Sequence, residues 1–401
     1  MKPATGLPAY EQQRNKQHHS FVPDGNGKLK ILFVIDTLEQ GGAEQSLLDN
    51  LRCFTKIEPV VCHLYAGEFL KPRFLEAGIK VYSVGITARY GFIKAYKALQ
   101  GIVDKEWPDL MVAYLTRSEL VARMVAKFNR ILVVGTFVSD LYGSQFNQSL
   151  SLKGKLGVRC FEMLNRLTRK YCTAFIANSE AVKQANAKRL DIPARKIEVI
   201  NRGRDGKLFA FQLHQIDEPD SLRIVNTGRL VPVKNQQMLL RAFKLFSEQQ
   251  PGASLHIAGE GPERKVLTDL IKATGMEGKV RLLGRRDDLP VLLHQYECFV
   301  FPSLSEGFSG AVIEAMMTGL PVLASDIPAN KEIITHLKTG YLFDPYSELS
   351  LVQALNWVAG NRYEAVRMAA RGADWARQHF ELRRIAEKME NYLCKLMSGK
   401  A

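Results

Sequence analysis

The chain has 401 residues, 46% of them apolar and 24% charged, a length that favours two domains and a composition that fills their cores without disulfides or metals. Its six cysteines (53, 62, 160, 172, 298 and 394) form no C-x-x-C pair and no cluster with histidine, and no apolar run approaches about 18 residues, which excludes a zinc or disulfide framework and a membrane-spanning helix. The net charge of +14 is lopsided, because residues 1–205 hold 31 Lys and Arg against 19 Asp and Glu, a net +12, so one half is expected to face an anionic surface.

In chain order, residues 1–28 are polar, include His18 and His19, and lack the apolar core of a signal peptide. They read as a mobile arm on a cytoplasmic protein. Residues 29–35 form a buried-strand run, followed by Gly41-Gly42 and a helical pattern from Ala43 to Leu51. Short branched runs at 60–65, 81–84, 110–114, 131–136 and 174–177 continue the first half, with helical patterns between them. The polar stretch Asn201-Arg202-Gly203-Arg204-Asp205 marks a boundary, so residues 29–205 are assigned to a first domain. The scheme then restarts. Residues 222–228 form a strand, 236–246 a helix, and 254–258, 280–283, 298–302 and 321–324 further strands, giving a second domain over 206–376. A helix over about 377–397 is expected to cross back to the first domain, with 377–401 as the closing segment. Alternating short apolar strands and longer helices predict two doubly wound, Rossmann-like α/β domains facing a central cleft.

Residues 153–171 stand out within the first half. Wound as a helix, they place Lys155, Arg159, Arg166, Arg169 and Lys170 within an arc of about 100°. Leu156, Cys160, Phe161, Met163, Leu164, Leu167 and Tyr171 fall on the other side. The pattern predicts a helix docked by its apolar side with its cations outward, suited to an anionic membrane surface such as the inner face of the cell membrane. No nucleic-acid reader motif accompanies these charges, so nucleic acid is not expected as a partner.

Five loops after strands hold candidate chemistry. Pro302-Ser303-Leu304-Ser305-Glu306-Gly307-Phe308-Ser309-Gly310-Ala311-Val312-Ile313-Glu314 runs from a strand end through a glycine loop into a helix. Free N–H groups at Ser309–Val312 would form an anion site, with Glu306 before the helix and Glu314 inside it. Gly228-Arg229-Leu230-Val231-Pro232-Val233-Lys234 presents two cations after a strand. Gly41-Gly42 is not the G-x-G-x-x-G of a dinucleotide fold. Gly259-Glu260-Gly261 and Gly284-Arg285-Arg286-Asp287 follow later strands.

Glu306 and Glu314, separated by seven residues, together with Gly319-Leu320-Pro321-Val322, resemble glycosyltransferase family 4, the retaining enzymes of the GT-B fold. The resemblance covers about residues 29–395 and implies transfer of a sugar from a nucleotide-diphosphate donor to a glycan or lipid-linked acceptor, often in bacterial polysaccharide or lipopolysaccharide assembly. It implies that Glu306, Arg229 and Lys234 act at the sugar and the leaving diphosphate. Donor binding would fall to Gly42, Gly261, Arg285, Phe308, Ser309, Gly310, Ala311 and Glu314, with Glu314 at the ribose. Many relatives carry a histidine where Val138 stands here, in Gly135-Thr136-Phe137-Val138-Ser139-Asp140. Ser139 or Asp140 would then contact the sugars, and Arg117 an anionic acceptor. The hinge Arg202-Gly203-Arg204-Asp205 also departs from the commoner Asn-Gly-Val-Asp. No D-x-D pair appears in these loops, and Arg229, Lys234 and a helix N-terminus supply positive charge, so neither metal nor other cofactor is expected. Two rival classes share this architecture: a sugar-nucleotide epimerase, which needs no acceptor, and a non-catalytic nucleotide-sugar-binding protein, against which Glu306, Arg229 and Lys234 argue.

Overall fold

A computed structural model describes residues 27–88, 90–139, 152–213 and 221–399. Most of the polar arm, and Asp140, lie outside them.

The first sheet has seven parallel strands, β1 (Leu29–Ile35), β2 (Ile57–Tyr65), β3 (Lys80–Ile86), β4 (Leu110–Tyr114), β5 (Leu132–Phe137), β6 (Ala174–Ala177) and β7 (Ile197–Val199), in the order β3-β2-β1-β4-β5-β6-β7. The second has six, β8 (Arg223–Thr227), β9 (Ser254–Ala258), β10 (Val280–Gly284), β11 (Cys298–Phe301), β12 (Val322–Ser325) and β13 (Tyr341–Phe343), in the order β10-β9-β8-β11-β12-β13. Every pairing is parallel. The pair of doubly wound α/β sheets read from the sequence is borne out. β7 and β13 went unrecognised, since three residues are too short to show a period.

The strand runs are unbroken in apolar character because both faces of each sheet are covered. In β1 every residue from Ile31 to Ile35 is fully buried. Leu32 and Val34 feed the core on one face, while Ile31, Phe33 and Ile35 feed the other, as the two-residue repeat of a strand requires. Burying one such side chain contributes about 1.5–3 kcal/mol.

The helices that build the cleft and its flanks are α1 (Gly42–Leu51), α2 (Phe92–Glu106), α3 (Thr116–Asn129), α4 (Leu152–Thr168), α5 (Glu180–Leu190), α6 (Gln236–Gln249), α7 (Gly310–Met317), α8 (Arg362–Phe380) and α9 (Leu382–Met397). The closing segment is not one helix. It breaks at Glu381, whose backbone is extended (φ −62°, ψ 129°). There the two chain crossings between domains run side by side. Arg204 N–H donates to the Phe380 carbonyl at 2.8 Å, and Leu382 N–H donates to the Arg204 carbonyl at 3.0 Å. A Cβ on Gly203 would stand 2.7 Å from Leu382 Cα, so the hinge needs glycine to let the second crossing pass. Beyond it, α9 packs Ile385, Met389 and Leu393 into the first domain's core. Its buried Glu390 accepts the backbone N–H groups of Thr55, Lys56 and Ile57 at 2.7, 2.6 and 3.1 Å.

The expected docking of α4 is corrected. Leu156, Met163 and Leu167 are 70%, 56% and 60% exposed, and Cys160 is exposed as well. The helix docks instead through Val158, Phe161, Asn165 and Thr168. Val158 packs on the core, and the Phe161 ring centre lies 6.0 Å from that of Tyr90. The cause is Arg123 on α3, fully buried and ion-paired with Glu119. Its guanidinium donates to Asn165 Oδ1 at 2.6 Å and Thr168 Oγ1 at 3.2 Å. A buried cation needs all its donors satisfied, so the polar residues face inward and the leucine stripe faces out.

Candidate active site

In both sheets the strand order reverses beside the first strand, between β1 and β4 and between β8 and β11. The loops leaving the carboxyl ends of those strands diverge and leave a crevice, the usual ligand site of such sheets. The crevices of the two domains face each other, and several contacts span the gap. A Cβ on Gly307 would lie 1.9 Å from the Val138 carbonyl oxygen, so only glycine lets the loop after β11 reach the first domain. The Glu332 carboxylate accepts the N–H groups of Glu180 and Ala181 at 2.8 and 2.7 Å, an anion placed at the positive end of α5.

Charged groups concentrate between these contacts. Lys234, on the turn after β8, donates to Glu306 Oε1 at 2.5 Å, and its Nζ lies 5.0 Å from the centre of the Phe301 ring. Both side chains are mostly buried, at 17% and 14% exposure. Arg204, from the hinge, donates through Nε to Glu314 Oε1 at 2.5 Å. Its Nη2 lies 2.0 Å from where a Cβ on Gly310 would stand, so the guanidinium covers the first turn of α7. Arg202 reaches the opposite wall, with Nη1 2.8 Å from the position of a Gly42 Cβ. Burial, with Arg204 beside it, lowers the Arg202 pKa to about 10, while Glu306, Glu44 and Glu314 act the other way. It remains a cation at neutral pH.

Glu44, in the first turn of α1, closes the cluster. Burial pushes its carboxyl upward and Asp36 adds to this, while its own backbone N–H, Arg202 and Arg229 oppose it. Arg229 is exposed. Among the described residues, neither Arg202 nor Arg229 has a side-chain hydrogen bond or ion pair. With Asp49, which faces Arg204 and Glu314, four cations meet four carboxylates, but Arg202 and Arg229 are bound in no ion pair among the described residues, and two guanidinium groups left open in this way favour an anion of more than one charge.

Sequence reasoning did not assign Arg202, Arg204 or Glu44. The doubled arginine of the hinge was a usable signal, but its partners are distant in the chain: Arg204 and Glu314 are 110 residues apart.

The other anticipated site residues fall variously. Glu306, Lys234, Glu314, Gly42 and Gly310 come together, with Arg229 near Glu44. A Cβ on Gly261 would meet the Leu230 carbonyl oxygen at 2.3 Å, so this glycine lets two loops of the second domain pack. Phe308 is buried at 1% exposure, its ring 5.4 Å from that of Phe380. Only its backbone can face a ligand. Ser309 is buried and donates to Asn330 Oδ1 at 2.7 Å, while Ala311 packs on the second core. Arg285 lies across the gap on the ring of Phe69, 3.8 Å from its centre, and 3.7 Å from Asp287. Arg117 donates to Asp36 Oδ2 at 2.9 Å, and its guanidinium carbon lies 3.7 Å from the centre of the Tyr65 ring. Ser139 is exposed, with its carbonyl 3.4 Å from Asn186 Nδ2. Among the described residues, no three His, Cys, Asp or Glu side chains gather as a metal site would need.

Comparison with known proteins matches the two halves separately. The family model "Glycosyltransferase Family 4" matches residues 40–207, and "Glycosyl transferases group 1" matches 211–375. A UDP-Gal:alpha-D-GlcNAc-diphosphoundecaprenol alpha-1,3-galactosyltransferase of Escherichia coli is 28% identical over 277 residues, covering 66% of this chain and 69% of that protein. A GDP-mannose-dependent alpha-(1-6)-phosphatidylinositol monomannoside mannosyltransferase of Mycobacterium tuberculosis is 29% identical over 179 residues, 42% of this chain and 46% of that one. The crystal structure of Anabaena HepE in complex with UDP-glucose superimposes with a TM-score of 0.79 at 21% identity, covering 92% of this chain and all of that one.

Proposed function

The chain belongs to glycosyltransferase family 4 and is built on the GT-B plan; we propose that it transfers a sugar from a nucleoside-diphosphate donor to a glycan or lipid-linked acceptor, with retention of anomeric configuration and without a metal ion. The observation that carries this reading is the pair of uncommitted guanidinium groups, Arg202 and Arg229, beside the Lys234–Glu306 pair in the crevice. Breaking a glycosyl–phosphate bond leaves a nucleoside diphosphate with added negative charge. Fixed cations already in place hold that charge best in the transition state. Arg229, Arg202 and Lys234 neutralise the diphosphate, Glu306 lies at the donor sugar, and Glu314 takes the ribose with the oxygen that Arg204 leaves open. Substrates of the relatives support a lipid-linked acceptor: one acts on a diphosphoundecaprenol-linked sugar and another on a phosphatidylinositol mannoside. Assembly of a bacterial surface polysaccharide or lipopolysaccharide fits the first of these.

The test is a panel of uridine and guanosine diphosphate sugars offered with a lipid-linked acceptor in excess EDTA. Acceptor-dependent release of nucleoside diphosphate is expected, and the new anomeric proton should keep the donor's configuration by NMR. An inverted product removes the retaining assignment. Activity lost to EDTA and restored by magnesium or manganese removes the metal-free one.

The two carboxylates should separate kinetically. Glu314→Ala removes a charged acceptor for a ribose hydroxyl, at about 1.5–3 kcal/mol, so donor KM should rise about tenfold or more. Glu306→Ala should instead lower kcat. The reverse pattern in steady-state kinetics would exchange the two roles.

A further inference from the structure

We infer that the outer face of α2, α3 and α4 is a docking surface for an anionic lipid bilayer, a role separate from the transfer chemistry. Leu156, Cys160, Met163 and Leu167 are spaced to share one side of α4, and that side is exposed. Lys155, Arg159, Arg166 and Lys170 border the stripe, also exposed and without an ion pair among the described residues. The one acidic residue of α4, Glu162, is turned onto Arg189 at 2.8 Å.

The neighbouring helices continue the pattern. Ile93 of α2 is 76% exposed and Phe128 of α3 is 62% exposed. Lys94, Lys97, Lys127 and Arg130 beside them are exposed too. The three helices are joined by the ring contacts of Phe92 with Phe161 and of Tyr96 with Phe128, each 6.4 Å between centres, and Lys127 of α3 donates to the Tyr171 hydroxyl, just beyond α4, at 3.1 Å. Exposed apolar side chains rimmed by charged ones on a folded domain mark an interaction site.

The chemistry of the patch selects its occupant. Nucleic acid offers phosphates but nothing for leucine and methionine to enter. The boundary between headgroups and acyl chains offers both, and a helix with an apolar stripe edged by lysine and arginine lies in that plane. Position agrees as well: Tyr90 and Phe92, whose rings meet Phe161 of α4, follow shortly after the carboxyl end of β3 at Ile86, the end of the sheet that faces the cleft. A bilayer on this face would present its lipid-linked molecules beside the acceptor side of the crevice.

The experiment is vesicle co-sedimentation of the full chain, which requires no turnover. Phosphatidylcholine vesicles are compared with vesicles containing phosphatidylglycerol, at salt giving screening lengths of about 10 Å and about 3 Å. Each cation near an anionic surface multiplies binding roughly fivefold. Arg159→Gln with Arg166→Gln should therefore weaken binding to anionic vesicles about 25-fold. Leu156→Ser with Leu167→Ser should weaken it by tenfold or more, including at the higher salt, where the apolar contribution remains. All four positions are exposed, and unchanged melting curves identify the variants as folded. Equal binding to neutral and anionic vesicles overturns the inference, as does indifference to both double variants. Self-association through the stripe in place of vesicle binding overturns it too and assigns the face to a protein contact.

Discussion

Arg229→Ala and Lys234→Ala are each expected to lower turnover about 10²–10³-fold, or roughly 2.7–4 kcal/mol of transition-state stabilisation, with the fold intact. In the ground state the diphosphate is bonded to the sugar and its charge is shared. As that bond breaks, charge builds on the leaving oxygen, and a cation fixed in advance loses nothing to reorganisation. Arg229 is exposed and makes no side-chain bond among the described residues, so its removal leaves no buried group unsatisfied. Lys234 differs, because its loss also frees Glu306, with which it is paired at 2.5 Å. That carboxylate would then stand near the leaving group uncompensated, so Lys234→Ala should be the more damaging. Steady-state rates of variants with unchanged melting curves decide the matter. Near-normal turnover in both would remove these cations from the chemistry.

Arg123→Ala should cost about 3–5 kcal/mol of stability, the range for breaking a buried ion pair from one side. Arg123 is fully buried and links Glu119 to Asn165 and Thr168. Its removal would strand a carboxylate and loosen α4 together. Burial already pushes the Glu119 carboxyl from 4.5 to about 7, with Arg123 and the Thr136 N–H holding it down against Asp36. A folded pKa above the unfolded one means that the native state keeps the proton longer. The resulting stability is full below the unfolded value of 4.5 and is lost as pH rises through about 7. Without Arg123 the folded value climbs further and the loss extends to higher pH. Urea unfolding at about pH 5 and about pH 8 should show the variant penalised more at the higher pH. Replacing the pair together, as Glu119→Leu with Arg123→Leu, should cost less than Arg123→Ala alone, because no charge is left buried without a partner. Equal penalties at the two pH values would mean that Glu119 is not the group responsible.

The sequence by itself determined the pair of doubly wound sheets, the loops at their carboxyl ends and the chemistry of Glu306, Arg229 and Lys234 as candidates. These are readable because strand and helix periods and glycine loops are local, each within a dozen or so residues. The break at Glu381 was not readable, since it is set by a neighbouring crossing at Arg204 that is distant in the chain. Nor was the facing of α4. Helical spacing separates its two sides but does not say which is inside, and here buried Arg123 drew Asn165 and Thr168 inward and left Leu156, Met163 and Leu167 outside. Only the tertiary structure decided that Arg202, Arg204 and Glu44 join the charged cluster, because a charge finds its partner across a folded cleft by proximity and desolvation, and neither leaves a mark in the order of residues.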